Sequence, residues 1–256
     1  MIPSGSPPPP EWDVSIGDGV THFRWRRASD GIEAEWVGIL RVTIDAAGRA
    51  ESVVVPGADP VRALKIKTTA AAAFVRAMRG QPSLHGSAVV RDGAALVCLG
   101  QSGAGKSTAA AHLCTHLDFE LLADDIVGFE LDSGLFRVLP TESVHWLELD
   151  GHPKAPLQAR RVATAAAPLA AIVALRLGDE AGDAEPRLTR LRGASAHAVL
   201  AGAAQRFEES RSLWRRELDF FASIAQIVPM YELSRAKPCA VESTAALLRA
   251  AWESGT

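Results

Sequence analysis

The feature that most constrains this chain is an apolar run, Leu96–Leu99, that stops at a glycine and continues as GQSGAGKST. Glycine reaches positive φ values that other residues avoid, so several successive backbone N–H groups can point into one concavity. The residues from Ser107 to Leu117 have the apolar spacing of a helix. The stretch therefore predicts a buried strand, a tight loop and a helix in direct succession.

The loop fits the spacing G-x-x-x-x-G-K-S of a phosphate-binding P-loop. Backbone amides and the positive end of the helix attract an anion, and the lysine reaches the outer phosphates. The serine after the lysine can ligate Mg²⁺, while Thr108 is expected to cap or pack. A chance glycine-rich turn is the alternative, but the predicted strand and helix on either side argue against it. The predicted nucleotide-binding residues are Gly100, Gln101, Ser102, Gly103, Ala104, Gly105, Lys106, Ser107 and Thr108.

Two motifs that are absent from the sequence narrow the nucleotide and the class of P-loop protein. The chain contains no asparagine, so an Asn-Lys-x-Asp segment that reads guanine is excluded. No L-S-G-G-Q segment is present either, which disfavours an ABC-type transport ATPase. ATP with Mg²⁺ is the predicted cofactor pair.

Two adjacent carboxylates follow the next apolar strand, Phe119–Ala123. In P-loop proteins a carboxylate at the end of a neighbouring strand completes the Mg²⁺ site. Asp124 is predicted to join Ser107 in the metal shell, and Asp125 to accept a proton from an attacking hydroxyl. Because successive strand side chains point to opposite faces, the two roles can be exchanged, or one carboxylate can face away. Without the loop, this Asp-Asp pair would indicate only a turn.

His85 opens the stretch His85–Val90, which turns at Arg91–Gly93 and pairs with the strand before the loop. This places His85 at one end of the sheet, either the end that carries the phosphates or the opposite one. The pattern alone leaves both ends open. It also leaves open a purely structural histidine at a strand start.

The remaining pattern predicts an α/β fold with helices between buried strands. A Pro-, Ser- and Gly-rich tail is expected at residues 1–12, a small β-rich segment with a helix at 13–82, and the P-loop domain at 83–256. The β-rich segment contains a hairpin of Arg41–Asp45 with Glu51–Val55. Its helix begins after Asp59 and stops at Gly80. Later elements are predicted as strands at 126–130, 135–139, 170–177 and 230–233 and helices at 194–204, 210–227 and 242–252.

Composition excludes several classes of function. With 27 Lys and Arg against 30 Asp and Glu, the net charge is near zero, so no overall basic surface favours nucleic acids or anionic membranes as partners. Cys98, Cys114 and Cys239 are too few and too scattered for a disulfide framework or a zinc site. No signal peptide or membrane-spanning run is apparent, so the cytoplasm is the expected location. Whether the chain forms a homo-oligomer is left open.

Three motifs taken together, LHGSAVV, GQSGAGKST and LLADD, resemble the catalytic domain of bacterial HPr kinase/phosphorylase in order and spacing. The resemblance covers about residues 83–140. It implies the P-loop fold that this family shares with phosphoenolpyruvate carboxykinase, and phosphorylation of a seryl hydroxyl on a small carrier protein. The family's later signature, rich in glutamate and glycine, does not align with Pro140–Trp146. The length and layout are similar to short stand-alone relatives, such as the kinases of lasso peptide precursors.

The resemblance also implies roles for individual residues. His85 would face the active site, the loop would hold the phosphates, and Asp124 and Asp125 would supply metal binding and proton transfer. The predicted function is therefore an ATP-dependent kinase acting on a serine of a protein or peptide. The alternatives are a small-molecule hydroxyl kinase that uses the same site and a nucleotide-sensing module that transfers no phosphoryl group.

Weaker candidates lie elsewhere in the chain. Lys154 or the pair Arg160 and Arg161 could contact a phosphate in the transition state, although exposed surface residues are the commoner case. The cluster of arginines at 211–216 could dock an acidic peptide, but a solvated helix face with Trp214 turned to the core is favoured. The hairpin at 40–55 could bind a partner by strand addition, or only cover part of the core.

Overall fold

The computed structural model describes residues 13–17, 20–141, 144–147, 155–178, 185–207, 211–236 and 240–256. The chain divides into two compact units, Met1–Ala71 and Ala72–Thr256. The sequence predicted a boundary between residues 82 and 83, after the helical segment that begins at Pro60. The division between the two units instead falls inside that segment, between Ala71 and Ala72. The predicted tail at 1–12 and the candidate Lys154 lie outside the described residues.

The first unit is an antiparallel sheet of five strands in chain order. The predicted hairpin is present, with Arg41 opposite Val53. Asp59 caps the helix that follows, because its carboxylate accepts a hydrogen bond from the Arg62 amide at 2.7 Å. The elements are β1 (Asp13–Gly17), β2 (Val20–Ala28), β3 (Gly31–Trp36), β4 (Leu40–Asp45), β5 (Ala50–Val54), α1 (Pro60–Ile66) and a π-helical turn at Lys67–Ala71.

The second unit holds the remaining elements. They are α2 (Ala72–Met78), β6 (Ser83–Arg91), β7 (Ala94–Leu99), α3 (Lys106–His116), β8 (Glu120–Ala123), β9 (Ile126–Asp132), β10 (Leu135–Leu139), β11 (Val144–Leu147), β12 (Ala155–Gln158), β13 (Ala167–Leu177), β14 (Arg187–Leu191), α4 (Gly193–Ala203), α5 (Arg211–Ile227), β15 (Met230–Arg235) and α6 (Val241–Glu253). The fold is therefore a mixed α/β arrangement, as expected.

An eight-stranded sheet organises this unit in the order β10-β9-β6-β7-β13-β15-β14, with β8 paired to β6 and β10 also paired to β13. Strands β7, β13 and β15 are mutually parallel, and the other pairings in the sheet are antiparallel. Strands β11 and β12 form a separate antiparallel pair. Because parallel strands run in the same direction, the carboxyl ends of β7, β13 and β15 lie at one edge of the sheet.

Hydrophobic layers lie on both faces of the sheet. Along β7, Ala95, Val97 and Leu99 pack into one core, and Leu96 and Cys98 pack into the other. Helices α4 and α5 contribute to the first core, while α3 and α6 contribute to the second. Burial on both faces explains why β7 reads as a continuous apolar run. It also fixes both the strand before the phosphate loop and the helix after it.

Three elements were not predicted, namely β11, β12 and β14.

Trp214 also differs from expectation: it is 46% exposed, and the Arg206 guanidinium lies 5.7 Å from its ring centroid. Among the described side chains of α5, Phe221 and Ile224 are buried instead, so the core-facing side of the helix excludes Trp214. Cys98 and Cys114 are buried free thiols, and Cys239 lies outside the described residues. In the described part of the chain, no helix combines the length and apolarity that crossing a membrane demands.

Candidate functional site

The predicted loop joins β7 to α3, at the edge where the parallel strands end. Gly100, Gly103 and Gly105 have φ values of 144°, 78° and 82°. These conformations are unfavourable for residues that carry a Cβ. At Gly100 a Cβ would also lie 2.6 Å from the Leu175 carbonyl oxygen, so a larger residue cannot fit there. The loop therefore needs its glycines both for conformation and for close approach to β13.

Lys106 folds back over the loop. Its Nζ donates hydrogen bonds to the carbonyl oxygens of Gly100 at 2.8 Å and Gln101 at 3.0 Å. The residue is only 5% exposed. An ammonium group in this position places a positive charge at the mouth of the loop, where phosphates are predicted to bind.

Asp124 is fully buried beside the loop. Its Oδ1 accepts hydrogen bonds from the hydroxyls of Ser87 at 2.5 Å and Ser107 at 2.9 Å, and from the Asp125 amide at 3.0 Å. Its Oδ2 accepts a hydrogen bond from the Trp146 amide at 2.7 Å. The four donors fix the carboxylate against the first turn of α3.

Asp125 lies next to Asp124 but in different surroundings. Its φ of 69° is in the left-handed region, and its carbonyl oxygen accepts the Gly86 amide at 3.2 Å. The imidazole Nδ1 of His85 is 3.8 Å from Asp125 Oδ1, beyond hydrogen-bond distance but within ion-pair range. Because Gly86 is opposite Leu99, His85 lies at the end of the sheet that carries the loop. The sequence left two positions open for His85, the end of the sheet that carries the loop and the opposite end. The structure places it at the end that carries the loop.

Two of the groups that contact Asp124, the Ser87 hydroxyl and the Trp146 amide, had no predicted role. Ser87 is two residues after His85 on the same strand, and the period of two between them was a usable signal. The Trp146 amide comes from β11, and nothing in its local sequence indicates a contact 22 residues away.

Next to Trp146, His145 is 3% exposed, and among the described residues its Nδ1 has no hydrogen-bond partner. Burial lowers the pKa of His145, and the Asp124 carboxylate partly offsets this effect. A histidine of lowered pKa is held neutral at physiological pH. This imidazole therefore adds no positive charge beside Asp124.

The side chains around the loop fit a magnesium ion better than a transition metal. Within the described ranges, no cluster of three or more His, Cys, Asp or Glu side chains is present. Mg²⁺ usually takes one or two protein ligands and completes its shell with water and phosphate oxygens. The Ser107 hydroxyl and the Asp124 carboxylate, which are in contact, provide such a pair.

Thr108 is placed differently from expectation, whereas Arg160 and Arg161 are exposed surface residues, the case that the sequence favoured for them. Thr108 is exposed on α3 and neither caps nor packs, because the helix begins at Lys106 and Gly105 occupies the cap position. Arg161 donates a hydrogen bond to Asp118 at 2.7 Å. Asp118 follows the end of α3 that is farther from the loop, about 16 Å away along the helix, so Arg161 lies outside the site.

No protein-family model matches this sequence, and no curated protein matches it. Among solved structures, the HPr(Ser) kinase/phosphatase of Coxiella burnetii is similar, with a TM-score of 0.40 and 10% sequence identity over 66% of this chain and 94% of that chain.

Proposed function

We propose that this chain is a kinase that transfers the γ-phosphoryl group of ATP to a serine hydroxyl of a protein or peptide. One observation carries the proposal: the P-loop, the Ser107–Asp124 contact and the His85–Asp125 pair converge at one edge of the sheet. The choice of a serine as acceptor depends on the motif resemblance. The site geometry supports phosphoryl transfer more generally.

Phosphoryl transfer depends mainly on positioning and on stabilising charge. The loop amides would bind the β- and γ-phosphates, and Lys106 would exchange its two carbonyl partners for phosphate oxygens. Ser107 and Asp124 would hold Mg²⁺, which neutralises charge on the phosphates when it is bound. Asp124 already has its orientation fixed by Ser87 and Trp146.

Asp125 is the proposed proton acceptor. The acceptor oxygen attacks the γ-phosphorus, the bond from that phosphorus to the β–γ bridging oxygen breaks, and ADP leaves. The hydroxyl proton passes to the Asp125 carboxylate. His85, which is 3.8 Å from that carboxylate, would help to orient it.

The first test replaces the loop lysine. Lys106→Ala should reduce phosphoryl transfer about a hundredfold or more, because the charge that stabilises the transferring group is lost. Transfer is measured with γ-labelled ATP and serine-containing peptides. Lys67→Ala removes an exposed lysine from the first unit and should leave transfer unchanged.

The acceptor screen also separates the alternatives. Label on free metabolites but not on peptides would identify a small-molecule hydroxyl kinase. ATP binding without transfer to any hydroxyl would identify a nucleotide-sensing module. Full activity of Lys106→Ala would refute the assignment of the loop as the catalytic phosphate site.

A further inference from the structure

The last residue of β15, Arg235, reaches the phosphate loop from two strands away. In the sheet order β7-β13-β15 the strands are parallel, so β15 ends at the edge where the loop lies. The Gly178 amide donates to the Arg235 carbonyl oxygen at 2.9 Å and fixes the backbone of this residue beside the end of β13. The side chain then extends across that end to the loop.

The guanidinium of Arg235 connects the loop to α6. Its Nη2 donates to the Ala104 carbonyl oxygen at 2.6 Å, and its Nη1 donates to the Thr244 hydroxyl at 3.0 Å. Thr244 is fully buried on α6. Since guanidinium is planar and always charged, two partners in this arrangement hold it in one orientation.

The bond to Ala104 determines which way the next amide points. In a trans peptide the carbonyl of one residue and the N–H of the next point in opposite directions. Because the Ala104 carbonyl faces Arg235, the Gly105 N–H faces away from the guanidinium. Gly105 has φ +82°, and a glycine at such a position lets the preceding peptide turn over between two common turn forms. If the Ala104–Gly105 peptide turned over, the Ala104 carbonyl oxygen would take the place of the Gly105 N–H, which is the group that could donate a hydrogen bond to a phosphate.

Arg235 also limits what residue 105 can be. A Cβ at this position would lie 2.4 Å from Nη2. A larger residue here would therefore have to displace the guanidinium from its bond to Ala104, and it would also be strained by the φ value of this position. The two residues form a matched pair in the last turn of the loop.

We propose that Arg235 is a positioning residue for the phosphate loop, which keeps the Gly105 amide directed toward the bound phosphates. This inference rests on the proposed function of the loop as a nucleotide site. Arg235 acts through the Ala104–Gly105 peptide.

The test measures two properties of Arg235→Met in the full chain. The dissociation constant of ATP with Mg²⁺ should rise about ten- to a hundredfold, the effect of a lost charge-assisted hydrogen bond. In the nucleotide-free protein, amide hydrogen exchange should become faster at residues 103–106 while the central strands keep their protection. Thr244→Val, which removes only the second partner, should change both properties in the same direction and by less.

Two further variants complete the design. Arg235→Lys keeps the charge but cannot make both bonds, so it should recover part of the ATP affinity. Arg249→Met removes an arginine of α6 that pairs with Glu253 and should change neither property.

The outcomes are distinct for the two proposals. Unchanged loop exchange in Arg235→Met and Arg235→Lys would overturn the positioning role. Faster exchange spread evenly over β7, β13 and α3 would also overturn it, because that result indicates a general structural role. If the unaltered protein binds no ATP, the proposed function fails, and the exchange data on the nucleotide-free loop still decide the role of Arg235.

Discussion

Asp124 and Asp125 are neighbours in the chain whose backbones and surroundings are unlike. Asp124 directly follows β8 and has four hydrogen-bond donors around it, two hydroxyls and two amides. Asp125 turns the chain with a positive φ, and its side chain is 14% exposed. We therefore expect Asp124 to matter for stability as well as for the proposed metal binding, and Asp125 for the chemistry with little effect on stability.

Removing the Asp124 carboxylate should destabilise the fold. Asp124→Ala leaves two hydroxyls and two amides without their acceptor in a buried place, so the free energy of unfolding should fall by about 3 kcal/mol. Urea denaturation followed by circular dichroism measures the loss. A change below about 0.5 kcal/mol would show that these hydrogen bonds contribute little to folding.

Asp125→Asn should separate activity from stability. Asparagine is among the residues that best tolerate a left-handed φ, so the urea midpoint should stay within error of the unaltered protein. The amide cannot accept a proton, and phosphoryl transfer should fall about a hundredfold or more. Retained transfer would remove Asp125 from the mechanism and favour Asp124 as the base.

At the scale of elements, one face of the first unit's sheet carries a row of charges across three strands. Glu35 on β3 accepts hydrogen bonds from Arg24 on β2 at 2.8 Å and from Arg41 on β4 at 3.2 Å. Burial of Glu35 acts to raise the pKa of its carboxyl, but the bonds to Arg24 and Arg41 outweigh it, so the pKa is lowered. The ionised form thus stabilises the folded sheet.

This arrangement predicts a defined dependence on pH. A carboxyl with a lowered pKa in the folded state adds stability that is present above its unfolded pKa, near 4.5, and is lost as pH falls through the folded pKa. Glu35→Gln should therefore cost about 1 kcal/mol at pH 7 and progressively less below about pH 4.5. Thermal melts across pH 3–7 measure the difference. An equal cost at every pH would show that packing, not charge, is responsible.

Elements with strong local signals were predictable from the sequence. Strands β6 and β7 and helix α3 follow from an apolar run, a tight turn and the glycine-rich loop. Strands β11, β12 and β14 were missed because short segments of this kind depend on their pairing partners more than on their own residues. The contacts of the Trp146 amide and of Arg235 with the site could not be predicted for the same reason, because they depend on tertiary structure and not on local sequence.

For the molecule as a whole, the two described cysteines report on the integrity of the second unit. Burial raises the pKa of both Cys98 and Cys114 to about 12. At pH 8 only about one thiol in ten thousand is then ionised, and the thiolate is the reactive form. Both side chains lie in the core that α3 and α6 contribute to.

Thiol labelling should follow global unfolding of this unit. In a Cys239→Ser variant, Ellman's reagent at pH 8 should modify no thiol in the folded protein and two thiols after denaturation. Lowering the denaturant should slow the reaction in step with the fraction unfolded. Fast labelling without denaturant would show that the core under the phosphate loop opens locally.

The left-handed turn at Asp125 also bears on how this chain can change over evolutionary time. Asp, Asn and Gly suit that backbone best, and a single G-to-A substitution in the first base of the codon turns aspartate into asparagine. In the proposed mechanism, the loop amides and Lys106 bind the triphosphate, and Asp125 does not. Under that proposal, one point mutation would separate a phosphoryl-transferring protein from one that only binds the nucleotide, and the present sequence contains no asparagine.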